Sequence, residues 1–369
     1  MRAIIVSPTY IDPANRGKLR ALAGLGVTLS VAVPARWSPS ARGPVLSASW
    51  GNDGGLRVVP IPVSAERGDA VGWKGKDLHR LFADFRPEII QVEAEPWTPV
   101  AATTTARAAR LGIPTVLFGW QSVSQDLPFL DRWRRSRTLG KVKALVGGNR
   151  LATDLLSRER PGVPVATIPQ LGLLPPLETR RPDHTELAIG FVGRLVPEKG
   201  LDSLFRACVK LLGRWRLTVV GTGPAQESLE QLAERLGIAS RVTWRGAIPT
   251  GELRGLWPEL DCLVIPSRTT PHWVETFHPA LVEAMGHGVT VVGSDSGALP
   301  ELIDTAGLVV PEDDVGALTA ALQHLADAPR ERARLGREAR LRVMGEFVDD
   351  AVARRTLEFW ERVLGRRSG

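Results

Sequence analysis

Two cations follow a short apolar stretch in the C-terminal half of the sequence. That stretch reads as a strand ending at Gly193, and the next loop carries Arg194 and Lys199 before a helix begins. A planar guanidinium can hold two phosphate oxygens, an ammonium adds a point charge, and amides at a helix start add donors. The segment therefore predicts a diphosphate site. The alternative is that both cations are solvated loop charges paired with Glu198.

Two carboxylates lie eight positions apart further along the chain, at Glu275 and Glu283. Glu283 interrupts an apolar run from Pro279 to Met285, and a buried carboxylate without a partner is costly. We expect the two hydroxyls of a ribose to supply its hydrogen bonds, and sugar hydroxyls to donate to Glu275. The alternatives are that the helix dipole favours Glu283 in a first turn, and that Glu275 is a solvated loop residue.

The elements that must position these residues alternate along the whole chain. Strands are predicted in the N-terminal half at Ala3–Ser7, Val27–Val33, Val58–Val63, Glu88–Val92, Pro114–Phe118 and Val163–Ile168. Further strands are predicted at Ala188–Val192, Leu217–Gly221, Val242–Trp244, Cys262–Ile265, Val289–Val292 and Leu308–Val310, with helices at Leu201–Leu212, Ala225–Leu236 and Pro279–Gly286. This alternation indicates parallel sheets covered by helices.

The length of 369 residues and a polar, proline-rich stretch after Leu174 indicate two domains. We predict an α/β fold with two doubly wound, Rossmann-like domains that face a central cleft. Their predicted bounds are 1–174 and 187–345, joined by a linker at 175–186. A last helical segment, 346–369, is predicted to pack back on the N-terminal domain. Ligands of such domains bind where the carboxyl ends of the strands meet.

The composition is that of an ordinary water-soluble protein. The two cysteines, Cys208 and Cys262, fall in apolar segments and are expected to be packing residues. The N-terminus lacks a cleavage pattern, and no apolar run approaches the roughly 20 residues of a membrane span. We therefore expect a cytoplasmic protein, in which membrane association remains open. Residues 1–180 carry 24 Lys and Arg against 14 Asp and Glu, whereas residues 181–369 carry 23 against 26.

Taken together, these segments resemble the retaining glycosyltransferases of family 4, which have the GT-B fold and are also called group 1 glycosyltransferases. The resemblance rests on Gly193-Arg194-Leu195 with Lys199-Gly200, and on the spacing of Glu275 and Glu283. It spans nearly the whole chain and is strongest from Ala188 to Pro311. Further matches, in the family's order, are Gly221-Thr222-Gly223-Pro224, Gly246-Ala247-Ile248-Pro249, Pro266-Ser267 and Gly297-Ala298-Leu299-Pro300-Glu301-Leu302-Ile303.

The resemblance implies transfer of a hexosyl group from a nucleoside diphosphate (NDP) sugar to an acceptor hydroxyl, with retention of anomeric configuration. It implies that Arg194 and Lys199 hold the diphosphate, Glu275 the sugar and Glu283 the ribose, with Arg194, Lys199 and Glu275 as the catalytic set. The other residues implied in donor binding are Gly17, Gly193, Gly246, Ala247, Ile248, Phe277, His278, Ala280 and Leu281. Beyond the co-substrate we expect no cofactor, and no metal, because no persuasive Asp-x-Asp site follows a strand.

The sequence departs from the family pattern at three positions. Trp120, with Gln121 after it, stands where the family often has a histidine, and we expect these two residues on the acceptor side. His278 and Pro279 replace a glycine and a residue with an amide donor, and proline has no N–H to give. The implied place of Gly17 beside the phosphates has an alternative, a helix cap. The departures leave the sugar open and keep an inactive or altered enzyme in play.

The segment 132–143 clusters six cations around one tryptophan. It predicts contact with an anionic membrane or a phosphorylated, lipid-linked acceptor, although glycan and small-molecule acceptors remain open. The alternative is a solvated basic helix. We expect no nucleic-acid binding, because the sequence has no stacking platform, zinc-finger spacing or helix-turn-helix pattern.

Two other functions fit the same scaffold. An NDP-sugar epimerase would need acid and base groups on the sugar ring, and only Glu275 and His278 stand out. A non-catalytic sugar-nucleotide-binding homologue would fit the departures from the family pattern. A nicotinamide dehydrogenase is disfavoured, because no Gly-x-Gly-x-x-Gly follows the first strand of either half.

Overall fold

The computed structural model describes residues 1–38, 44–64, 72–176 and 186–366. The chain divides into two compact units, one made of Met1–Leu174 with Val348–Gly369 and the other of Pro175–Phe347. Most of the predicted linker, residues 177–185, lies outside the described residues.

The first unit is built on an eight-stranded sheet. Its strands in chain order are β1 (Arg2–Val6), β2 (Thr28–Pro34), β5 (Gly51–Asp53), β6 (Leu56–Ile61), β7 (Ile89–Glu93), β8 (Thr115–Gly119), β9 (Ala144–Gly147) and β10 (Val165–Thr167), and a separate pair is formed by β3 (Arg36–Trp37) and β4 (Leu46–Ser47). The order across the sheet is β10-β9-β8-β7-β1-β2-β6-β5, parallel except for the antiparallel edge strand β5. Every residue of β7 and β8 is buried, as expected for parallel strands covered on both faces.

Helices α1 (Gly17–Gly24), α2 (Gly75–Phe85), α3 (Pro99–Arg110), α4 (Phe129–Leu139) and α5 (Arg150–Glu159) connect these strands. The local sequence explains where two of these helices begin. The Thr98 hydroxyl accepts from the Ala101 amide at the start of α3, and the Asn149 side chain accepts from the Ala152 amide at the start of α5.

The second unit has a six-stranded sheet in which all the strands are parallel. The strands are β11 (Leu187–Val192), β12 (Trp215–Val220), β13 (Val242–Trp244), β14 (Cys262–Ile265), β15 (Thr290–Ser294) and β16 (Leu308–Val310), in the order β13-β12-β11-β14-β15-β16. Its helices are α6 (Leu201–Val209), α7 (Gln226–Arg235), α8 (Pro279–Gly286), α9 (Leu299–Ile303), α10 (Val315–Asp327) and α11 (Pro329–Glu346). Numbered from the first strand of this unit, the order is 3-2-1-4-5-6, which is that of the Rossmann fold.

The last helix, α12 (Asp349–Val363), belongs to the first unit. Trp360 on α12 is fully buried, and its indole N–H donates to Gln91 Oε1 at 2.8 Å. The predicted last helical segment, 346–369, contains α12, and a break separates this helix from α11, which ends at Glu346. The break falls at Val348, which pairs with Leu173 in an isolated parallel bridge.

The α/β fold class and the two Rossmann-like domains are confirmed. All six strands predicted for the second half are present, with ends shifted by at most a few residues. Strand β9 was missed, because its short apolar run follows directly on the basic segment. Both cysteines are buried, and burial raises the pKa of the Cys208 thiol to about 12, in keeping with a packing role. In the described parts of the chain, no helix is long and apolar enough to cross a bilayer.

Candidate functional site

The strand order of the second unit fixes where its ligand site should be. Strands β11 to β13 are added towards one edge of the sheet and β14 to β16 towards the other, so the strand order reverses between β11 and β14. An open α/β sheet binds ligands beyond the carboxyl ends of the strands at that point. The segments that leave these two strands begin with Gly193 and with Pro266. Both are segments that the sequence analysis had selected.

A buried ion pair occupies this switch point. Lys199 Nζ donates to Glu275 Oε2 at 2.5 Å, and the two side chains are only 9% and 5% exposed. Ser267 Oγ donates to the same oxygen at 2.9 Å. Lys199 therefore pairs with Glu275 rather than with Glu198, and neither Lys199 nor Glu275 is the solvated loop charge of the alternative interpretation.

Two glycines make this close packing of loops possible. Gly200 has φ +66°, and a Cβ there would lie 1.9 Å from the carbonyl oxygen of Pro266. Gly221 has φ +134°, and a Cβ there would lie 1.8 Å from the carbonyl oxygen of Gly193. Both positions exclude a side chain by conformation and by space. Only glycine therefore allows the segments after β11, β12 and β14 to pack this closely.

The loop that carries Glu275 is fixed by backbone contacts which the sequence analysis did not identify. The Glu275 carbonyl accepts from the Ala298 amide at 2.7 Å, and a Cβ on Gly297 would lie 2.1 Å from its oxygen. Lys199 Nζ also lies 4.9 Å from the centre of the Trp273 ring. The match to the family pattern at Gly297-Ala298 had pointed to this region, whereas no sequence pattern had pointed to Trp273.

Arg194 differs from Lys199 in its surroundings. It is exposed, and its guanidinium has no hydrogen bond or ion pair with the residues that the structure describes. The structure thus leaves this side chain available to a ligand.

Glu283 corrects the expectation of a buried carboxylate without a partner. The side chain is only partly buried, and its Oε1 accepts from Trp257 Nε1 at 3.1 Å. Burial still raises the pKa of Glu283, against the hydrogen bond from Trp257 and the charge of Arg254. Trp257 was missed, because it lies 26 positions away with no motif around it.

His278 is the N-cap of α8. Its Nδ1 accepts from the Leu281 amide at 3.1 Å, and Pro279 follows at the first helical position. Burial lowers the pKa of His278 to about 4. The imidazole is therefore neutral, with its proton on Nε2. The Leu281 amide, predicted on the donor side, is already used by this cap.

The remaining residues predicted for the donor either follow β13 or lie at the start of α8. Gly246, after β13, has φ +61° and accepts from the Gly221 amide at 2.7 Å. Ala247 is exposed and Ile248 partly exposed, whereas Phe277 is partly exposed and Ala280 is buried in α8. None of these four makes a side-chain hydrogen bond, as their apolar side chains dictate.

Gly17 lies in the first unit, at the first position of α1. A Cβ there would lie 1.9 Å from Asp349 Oδ2, so the carboxylate of Asp349 already explains the glycine. The neighbouring Lys18 is buried and donates to Glu93 Oε1 at 2.9 Å. The predicted contact of Gly17 with phosphates stays a prediction.

Trp120 lines a cavity of about 350 Å³ in the first unit. The cavity lies at the carboxyl ends of β7 and β8, and its walls include Trp37, Trp73, Glu95 and Phe118. Glu95 Oε1 accepts from the amides of Trp120 and Gln121, at 2.6 and 2.9 Å. The side chain of Gln121 does not line the cavity.

Comparison with known proteins finds similar sequences among glycosyltransferases. The family described as "Glycosyl transferases group 1" matches residues 186–328. The chain is 38% identical over 152 residues to a GDP-mannose-dependent α-(1-6)-phosphatidylinositol monomannoside mannosyltransferase of Mycolicibacterium smegmatis, covering 39% of this chain and 40% of that protein. It is 33% identical over 193 residues to a 2-deoxystreptamine N-acetyl-D-glucosaminyltransferase of Streptomyces fradiae, covering 49% and 43%. The matches thus span less than half the length of these relatives.

Solved structures resemble nearly the whole chain. A sucrose-phosphate synthase from Thermosynechococcus elongatus has a TM-score of 0.69 at 17% identity, covering 99% of both chains. HepE of Anabaena, solved in complex with UDP, has a TM-score of 0.72 at 13% identity, covering 98% of this chain and 99% of that one. At such identities the likeness shows the fold alone. Over residues 186–328 the chain is similar in sequence to the group 1 glycosyltransferases.

Proposed function

We propose that this protein transfers a hexosyl group from an NDP-sugar to an acceptor hydroxyl, with retention of anomeric configuration and without a metal. The observation that carries the proposal is the buried Lys199–Glu275 pair at the point where strand order reverses. A cation and a carboxylate held there by loops of two adjacent strands suit a ligand with an anionic diphosphate and a hydroxylated sugar.

Lys199 and Arg194 stabilise the leaving group in this proposal. An ammonium has three N–H donors, and only one of those of Lys199 is directed at Glu275. The others, with the exposed guanidinium of Arg194, meet the negative charge that develops on the diphosphate as the anomeric bond breaks. Two protein cations can do what a divalent ion does elsewhere, which is why we infer no metal requirement.

The two glutamates hold the uncharged parts of the donor. Glu275 positions Lys199 and accepts from a sugar hydroxyl, while Glu283 accepts from the ribose. The raised pKa of Glu283 supports this role, because a partly desolvated carboxylate gains from added hydroxyl donors. Neutral His278, with its proton on Nε2, offers a donor that compensates for the amide missing at Pro279.

On the acceptor side we propose the cavity beside Trp120. Aromatic walls around carboxylates suit a hydroxylated ring with apolar faces. We place Trp120 in contact with the acceptor, and Gln121 behind it through the shared contact with Glu95. We also propose that the protein works in the cytoplasm, with peripheral contact to an anionic membrane through residues 132–143.

The geometry argues against the epimerase alternative. Acid and base catalysis on the sugar ring needs groups that exchange protons near neutral pH. His278 has a pKa of about 4 because it is buried, and its Nδ1 is used by the Leu281 amide. Isomerisation of the donor in the absence of acceptor would favour the epimerase, and donor binding without transfer to any acceptor would favour a non-catalytic homologue.

A thermal-shift screen of UDP-, GDP-, ADP- and TDP-sugars tests the proposal. A donor present at about 100 times its dissociation constant stabilises the folded state by about 2.7 kcal/mol. The shift should disappear with Glu283→Ala and persist in the presence of EDTA. If no sugar nucleotide stabilises the protein, the proposed donor site is wrong. Product anomers analysed by NMR then test retention.

A further inference from the structure

Helix α4 exposes three large apolar side chains. Phe129, Leu130 and Trp133 are 73%, 61% and 51% exposed. At about 100° per residue they fall within one arc of about 100°. Thr138 and Leu139, on the opposite side of the helix, are buried. The three side chains therefore form one patch directed away from the unit, whereas isolated surface apolar residues need no explanation.

Cations border this patch. Arg132 and Arg134 lie on its two sides along the helix, and the Arg137 guanidinium lies 4.7 Å from the centre of the Trp133 ring. Asp131, which pairs with Arg134 at 2.6 Å, is the one carboxylate between positions 129 and 143. The surface thus combines an apolar centre with a strongly positive border.

A cavity of about 400 Å³ lies beside the patch, between α4 and α5. Arg132, Arg135 and Arg160 line it, and Glu159 is the single carboxylate of the lining, paired with Arg135. The Nε atoms of Arg135 and Arg160 are buried without a hydrogen-bond partner among the described residues. Three guanidiniums against one carboxylate, with two N–H groups unsatisfied, favour an anion with several oxygens.

We propose that α4 docks this protein on an anionic phospholipid bilayer, with Phe129, Leu130 and Trp133 inserted and a lipid phosphate group in the arginine cavity. A bilayer is the partner that offers an apolar interior and a phosphate layer within the 5–10 Å depth, roughly, that an interfacial helix reaches. The proposal rests on the membrane contact proposed above for residues 132–143 and adds an apolar component to it, of which Phe129 and Leu130 precede that segment and Trp133 lies within it. It does not depend on the proposed glycosyl transfer.

Cosedimentation of the full chain with phosphatidylcholine vesicles, with and without phosphatidylglycerol, tests the docking. We expect the parent to partition to the anionic vesicles. The α4 variant, which combines Phe129→Ser, Leu130→Ser and Trp133→Ser, should partition on the order of a hundredfold less. The matched control carries serine at Val209, Leu212 and Leu341, which are exposed apolar residues of the second unit, and should bind as the parent does. Equal binding by parent and α4 variant would overturn the proposal.

A second variant tests the phosphate site. Arg132→Gln with Arg160→Gln should lower partition to the anionic vesicles about tenfold or more and leave partition to phosphatidylcholine unchanged. Inorganic phosphate is tested separately as the alternative ligand of the arginine cavity. If phosphate alone raises the melting temperature of the parent while vesicles do not bind, the cavity serves a free anion and the bilayer proposal is wrong. Transfer to a water-soluble acceptor, measured in parallel, should be unchanged in both variants, which separates this result from a failure of the proposed function.

Discussion

At the scale of single residues, Arg194 and Lys199 carry the same charge in opposite surroundings. Lys199 is buried against Glu275, whereas Arg194 is exposed. Removing Arg194 should therefore change ligand binding and not folding. Removing Lys199 changes both, because it leaves a buried carboxylate with one partner fewer. The two residues need different experiments.

Arg194→Ala isolates the electrostatic contribution. We expect kcat to fall on the order of tenfold to a thousandfold, because a contact that strengthens as the diphosphate departs is lost. The melting temperature should not change, since the side chain makes no described contact. Arg206→Ala, an exposed arginine on α6, is the matched control and should leave kcat as it is. An unchanged kcat in Arg194→Ala would remove this residue from the proposed site.

A single and a double variant test the buried pair. Lys199→Met should lower the free energy of unfolding by about 3–5 kcal/mol, because Glu275 is left buried without its cation. Lys199→Met combined with Glu275→Leu should recover much of that loss, since removing both partners of a buried pair is often nearly neutral. Urea denaturation measures both. A double variant that is less stable than the single one would contradict the pairing.

Sequence patterns selected these residues for the proposed site but did not reveal their partners. The types and order of Arg194, Lys199 and Glu275 pointed to a diphosphate and a sugar. The contact of Lys199 with Glu275 joins positions 76 apart, and no local pattern encodes such a distance. The same holds for Trp257 with Glu283, where burial alone had been inferred from an apolar run.

At the scale of elements, helix α8 predicts a pH dependence. Burial lowers the pKa of His278 from 6.5 to about 4. Between these values the unfolded chain binds a proton that the folded chain does not, so stability rises with pH and is lost as pH falls through the window. The contribution of His278 to the free energy of unfolding changes by about 3 kcal/mol between the two ends of this window. His278→Asn keeps an N-cap acceptor but does not titrate. Urea denaturation at both ends of the window should show a smaller pH effect in the variant, and an equal effect would contradict the assignment.

The close contact between the segments after β11 and β14 predicts that adding one methyl group to Gly200 lowers the stability of the fold. Gly200→Ala puts a Cβ 1.9 Å from the Pro266 carbonyl oxygen, so the two segments must move apart. Gly237→Ala is the matched control, since its φ of +69° is nearly the same and nothing lies within 4 Å. The control should lose about 1–2 kcal/mol from conformation alone. Gly200→Ala should lose more, and should also weaken donor binding in a thermal-shift titration. Equal losses would mean that the contact is not tight.

Elements were predictable where burial on both faces leaves an uninterrupted apolar run, as in β11 and β14. They were not predictable where the cause is tertiary. Strand β9 has only four residues, and the break after α11 contains Val348, which pairs with Leu173 far away in the sequence. The apolar patch of α4 was missed for a related reason, because exposure of Phe129 and Leu130 cannot be read from their types.

At the scale of the whole molecule, each unit has its own buried core, and the chain returns to the first unit in its last helix. Val352, Ala353, Phe359 and Trp360 of α12 are part of the core that contains β1 and β2. The core of the second unit is formed by β11, β12 and α6, among other elements. Stability is therefore expected to be a property of each unit, and a single melting temperature need not describe both.

Trp360→Ala tests this division. Removing a fully buried indole should cost about 3–5 kcal/mol, and the loss should fall on the first unit, because Trp360 packs there and donates to Gln91. Hydrogen exchange measured by mass spectrometry should show faster exchange in β1, β7 and α1, with β11 and β14 unchanged. The donor found in the thermal-shift screen should slow exchange around β11 and β14 equally in parent and variant, since its proposed contacts lie mainly in the second unit. Faster exchange throughout both units would instead mean that the chain unfolds as one cooperative body.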